Sequence, residues 1–79
     1  MDIIKGRVVI AKAGRDKGKA FVVTEIIDDR TVLIADGKSR PIEHPKRKNI
    51  LHLQATSTDI DCITTNRQLR NFLKNFLEA

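Results

Sequence analysis

Arg7-Val8-Val9-Ile10-Ala11-Lys12, then Ala13-Gly14-Arg15-Asp16-Lys17-Gly18-Lys19, then Ala20-Phe21-Val22-Val23-Thr24-Glu25-Ile26-Ile27 form the stretch whose reading decides the fold. Two runs rich in β-branched and apolar residues flank a polar loop framed by glycines. Runs of this length and make-up predict strands. After the turn Asp28-Asp29-Arg30, a third run spans Thr31 to Ala35 and closes on Asp36-Gly37. Asp-Gly between apolar runs is a strong hairpin signal, because glycine takes positive φ at no steric cost.

Further out, Lys38 to Glu43 reads as a fourth strand, confined to a sheet edge by Pro41. His44-Pro45-Lys46-Arg47-Lys48 reads as a basic connector, and Asn49 to Gln54 as a fifth strand. Residues 55–65, rich in Thr, Ser and Asp, read as an ordered loop. The period then changes. Leu69, Phe72, Leu73, Phe76 and Leu77 recur at helical spacing, and Thr65 with Gln68 fits a capping box. This predicts a helix over 66–78 whose apolar face packs across one mouth of the sheet. Five short strands with tight turns suggest a mostly β domain, a small closed barrel or a sandwich.

The chain has 79 residues, the length of one small domain with little room for a deep substrate cavity. It carries 15 Lys and Arg against 10 Asp and Glu, a net charge of +5. That balance points to a polyanionic partner, although charge also serves solubility. Cys62 is the only cysteine, so no internal disulfide forms. It reads as a small buried hydrophobe. No run is long enough for a signal peptide or a membrane span, which makes the expected location cytoplasmic. Aromatics are limited to Phe21, Phe72 and Phe76. Base-stacking grips on single strands, methyl-lysine cages and proline-peptide grooves all need more.

The loop from Gly14 to Lys19 resembles a phosphate-binding Walker loop only superficially. Three residues separate its glycines where that motif needs four, and Ala20 stands in place of the magnesium-holding hydroxyl. Nucleotide hydrolysis is therefore rejected. The loop still suits a phosphate backbone: Gly14 and Gly18 permit close approach, and Arg15, Lys17 and Lys19 supply charge. An ordinary exposed hairpin loop would also be polar, and these residues alone leave both readings open. Lys38, Arg40, Lys46, Arg47 and Lys48 form a second basic cluster, which could equally be a solvated face or a charged edge that blocks aggregation. His44, His52 and Cys62 lack the spacing of a structural zinc site. The carboxylate pairs Asp28/Asp29 and Asp59/Asp61 have no base, nucleophile or metal partner, so no catalytic site and no cofactor are expected.

Taken together, Gly6-Arg7-Val8-Val9, the glycine loop, Val22-Val23, Val32 to Gly37, Pro45-Lys46-Arg47-Lys48 and His52-Leu53 resemble a KOW motif. The order of elements is similar to the ribosomal KOW branch, the fourteen-e large-subunit proteins and their short bacterial relatives, over residues 4–54. Ala20 and Phe21 stand where the broader pattern has a further glycine, which points away from the transcription-elongation branch. The resemblance implies an SH3-like five-stranded barrel over 1–54; the C-terminal amphipathic helix, read from its apolar spacing, lies outside it. The resemblance also implies binding to structured, often ribosomal, RNA. Lys12, Gly14, Arg15, Lys17, Gly18 and Lys19 in the loop, with Lys38, Arg40, Lys46, Arg47 and Lys48, are the expected RNA contacts. Expected partners are ribosomal RNA and ribosomal proteins, with no membrane and no small-molecule substrate. A protein-interaction module is the first alternative. An enzyme is the last.

Overall fold

In the computed structural model, residues 3–60 and 65–78 are described. Strands β1 (Arg7–Ala11), β2 (Ala20–Ile26) and β3 (Thr31–Ala35) form an antiparallel meander. Strand β4 (Lys46–Asn49) pairs with β3. A single 3-10 turn, Ile50–His52, leads into β5 (Leu53–Asp59), which pairs with β1. The ladder therefore runs β4-β3-β2-β1-β5, and helix α1 (Asn66–Glu78) follows.

The short β4–β5 link dictates the sheet's shape. In a flat five-stranded sheet the two edges would lie about 19 Å apart, four strand spacings. The four Cα steps from Asn49 to Leu53 span at most about 15 Å. The sheet must curl to let one turn join its edges. Register shifts between Arg7 and Val9 and between Val23 and Glu25 assist, since bulges bend and twist a strand.

Inside the curl, Val9, Ala11, Phe21, Val23, Val32, Ile34 and Leu53 form one buried cluster. The alternate residues of the same strands, Val8, Ala20, Val22 and Ala35, form a second cluster with Leu69 and Leu73 of α1. The central strands are thus buried on both faces, which explains their near-continuous apolar runs. The helix covers the outer face of the sheet and not a mouth, because that is where Val8 and Val22 leave an apolar surface.

Two strands differ from the sequence reading. Lys38–Glu43 is not a strand. Asp36 accepts hydrogen bonds from the backbone N–H groups of Lys38 and Arg40 at 2.9 and 2.8 Å, and the Ser39 hydroxyl donates to it at 3.0 Å, folding the chain into a tight turn. Pro41 brings no N–H to a ladder. The basic stretch read as a connector supplies the strand instead. The expected fifth strand starts later, at Leu53, because Asn49 caps the 3-10 turn with its side chain. It also runs on through the stretch read as a loop, where Thr56 donates from its hydroxyl to the Val8 carbonyl at 2.7 Å. Residues 61–64, and with them the reading of Cys62, lie outside the described residues. The helix has the expected limits, and the Thr65 hydroxyl accepts from the Gln68 N–H at 3.1 Å, as a capping residue does.

Candidate nucleic-acid interface

The glycine loop joins β1 to β2 and is closed at its base. Gly18 N–H donates to the Ala11 carbonyl at 2.8 Å and Ala11 N–H donates to Lys19 at 3.0 Å. Within it, Lys17 N–H donates to Gly14 and Lys19 N–H to Asp16. Gly14 and Gly18 hold φ of +82° and +88°, a region costly for any residue with a Cβ. These torsions turn the chain so that Lys12, Arg15, Lys17 and Lys19 are exposed while Asp16 points inward, only 8% exposed.

Asp16 organises the site. One carboxylate oxygen accepts from Lys46 Nζ at 3.2 Å, and the other lies 3.7 Å from Lys19 Nζ. Burial pushes its carboxyl up. The hydrogen bond and charge of Lys46, with the charges of Lys19 and Arg40, outweigh burial and hold it below the usual carboxylate range. Sequence reading took Asp16 as one more polar loop residue. Its one signal was being the lone acid among the loop's cations.

Strand β4 completes the cluster. Opposite Val32 and Ile34 in register, Lys48 and Lys46 share the face of the inner core. A Cβ on Gly14 would lie 3.6 Å from Lys48 Nζ, so this ammonium sits directly against the loop. The structure therefore brings Gly14, Lys19, Lys46, Lys48 and Arg40 together. Arg47 points to the other face, and its charge acts on Asp28. Hydrogen bonds from the backbone N–H groups of Arg30 and Thr31 are the main cause that lowers the Asp28 carboxyl, with Arg47 a lesser one. Lys38, in the Asp36 turn, lines a cleft with Arg70 and Lys74 of α1 and with Lys19. His44 and His52 are exposed, and among the described residues no three His, Cys, Asp or Glu side chains gather. No described helix is long and apolar enough to cross a membrane.

No protein-family model matches the chain. Curated proteins do. Large ribosomal subunit protein eL14 of Saccharolobus islandicus (strain L.S.2.15 / Lassen #1) is 39% identical over 56 residues, 71% of this chain and 58% of the relative. The eL14 of Saccharolobus solfataricus matches equally, and that of Desulfurococcus amylolyticus is 36% identical over 55 residues. Over this span the chain is similar to ribosomal protein eL14. This bears out the resemblance to the ribosomal KOW branch drawn from the order of glycine loop, strands and basic segment. The chain spans less than three-fifths of the length of these eL14 relatives.

Proposed function

We propose that this eL14-like chain is a non-enzymatic RNA-binding protein of the cytoplasmic ribosome. Its curled sheet acts as an SH3-like barrel of the KOW type, which grips structured ribosomal RNA by its phosphates. The observation that supports this best is the convergence of the glycine loop and β4 around Asp16. Asp16 pairs with Lys46 and more loosely with Lys19, and the Lys48 ammonium lies against Gly14, so the cations are gathered on one surface before a phosphate arrives. Arg15 and Lys17 stand free at the tip, where an exposed glycine backbone allows close approach. Contacts of this kind read backbone and shape, which suits folded RNA, whose deep major groove hides its bases.

The direct test is sedimentation of a tagged chain with ribosomal subunits, with and without RNase. Co-migration with large subunits, lost on RNase treatment and reduced for Arg15→Glu/Lys17→Glu/Lys19→Glu, is expected. Co-migration that survives RNase would refute RNA as the partner.

One observation favours the adaptor reading. An open cavity of about 520 Å³ is lined by Ile3, Ile26, Ile50 and Leu51 together with Asp28, Asp29 and Lys12. Leu51 is 74% exposed there. Binding by that surface would survive RNase and depend little on salt.

A further inference from the structure

On the outer face, a second open cavity of about 730 Å³ runs between the Asp36–Arg40 turn and helix α1. Lys19, Lys38, Arg70 and Lys74 line it, over a floor that includes Ala20, Leu73 and Leu77. The single carboxylate in its lining, Asp36, is occupied by the backbone N–H groups of Lys38 and Arg40 and by the Ser39 hydroxyl. The cleft therefore presents four cations against one carboxylate in its lining, with Lys19 also near Asp16 of the loop. We infer that it is a second binding site for RNA backbone, in which α1 contributes Arg70 and Lys74 as phosphate ligands. This rests on the RNA-binding reading and extends it to an element outside the KOW resemblance.

Three features carry the inference. First, the cleft is continuous with the loop cluster, because Lys19 both lines it and pairs with Asp16. A strand of phosphates lying on the loop thus has a charged path onto the helix. Second, the helix is fixed in place rather than laid loosely on the sheet. Asn66 accepts from the Ile42 N–H at 2.7 Å and donates to the Glu43 carboxylate at 2.8 Å, while Arg70 donates to the Gly37 carbonyl at 3.4 Å. Arg70 is therefore held pointing at the turn that bears Lys38. Third, the cleft is open and its floor is aliphatic, with Leu77 55% exposed. An open, four-cation trough fits an extended polyanion and ribose faces better than a small enclosed phosphate compound.

The experiment is a titration of a fluorescent RNA hairpin by anisotropy at several salt concentrations. It compares the full chain, Arg70→Glu/Lys74→Glu, and the charge-matched Lys5→Glu/Arg30→Glu, which touches neither the cleft nor the loop. The cleft variant should bind at least about tenfold more weakly than the charge-matched one, with a salt slope shallower by about 1.5, two phosphate contacts' worth. Lys74→Gln, which spares the Arg70–Gly37 contact, should show part of the loss with an unchanged circular dichroism spectrum. Amide signals of Gly37, Ser39, Asn71 and Leu77 should shift when the hairpin is added to the unaltered protein. Equal losses in the two double variants, or shifts confined to residues 12–19, would overturn the cleft while leaving RNA binding intact. Failure of the unaltered chain to bind the hairpin at low salt would overturn both.

Discussion

Asp16 carries an acid-dependent share of the stability. Its folded pKa lies below its unfolded one, so the native state is favoured wherever the carboxyl is ionised. The contribution is complete above the unfolded pKa of about 4 and is lost as pH falls through the lower, folded value. Asp16→Asn should cost about 1–3 kcal/mol at neutral pH, and its urea midpoint should converge on that of the unaltered protein in acid. Asp28 and Glu43, also held low, leave a residual slope in both. A second contrast concerns glycines. A Cβ at Gly18 meets nothing within 4 Å, so Gly18→Ala should cost only the positive-φ strain, about 1–2 kcal/mol. A Cβ at Gly37 would lie 2.3 Å from the Asn66 carbonyl oxygen. Gly37→Ala should therefore displace the helix N-terminus and destabilise clearly more, which urea unfolding followed by circular dichroism would resolve.

At the scale of elements, β1 to β3 and α1 were legible because their apolar residues recur at strand or helix period. Strand β4 was not, because Lys46-Arg47-Lys48-Asn49 contains no apolar residue. Its inward lysines are tolerated at an edge because Asp16 and Gly14 receive them. The end of β5 was hidden for a related reason: Thr56, Ser57 and Thr58 look like turn formers until the Thr56 hydroxyl finds the Val8 carbonyl. In the candidate site, the glycine loop announced itself, while the placement of Asp16 against Lys46 and of Arg70 against Gly37 depends on contacts across the chain that no local pattern encodes. The helix gives the clearest prediction at this scale. Leu69→Ala or Leu73→Ala should each cost about 2–5 kcal/mol, since both side chains are buried against Val8 and Val22. Removal of residues 66–79 should leave a chain that unfolds or aggregates, read by loss of a cooperative melt. A soluble truncation with unchanged melting would refute the packing role.

For the whole molecule, net charge of +5 says less than its arrangement. Cations extend from the loop tip through Lys46 and Lys19 to the helix, whereas the other cavity is lined mainly by aliphatic side chains, with Asp28, Asp29 and Lys12 among them. If four to six phosphates are engaged, log affinity should fall with log salt at a slope of about −3 to −5. A slope near zero, measured by the same anisotropy titration, would assign binding to that aliphatic cavity.

The two-sided burial of the central sheet also sets an order in time. Strand β1 precedes the other strands and pairs early with β2, yet its second ladder partner is β5 and its outer face packs on α1, both far along the sequence. While the chain emerges during synthesis, Val8 and Val22 on the outer face lack the cover that Leu69 and Leu73 give them. Closure of the outer cluster must wait for Leu69 and Leu73, contacts distant in sequence and therefore slow to form. The basic cleft is thereby withheld from any unfinished chain, because Lys19 and Lys38 meet Arg70 only once α1 has docked.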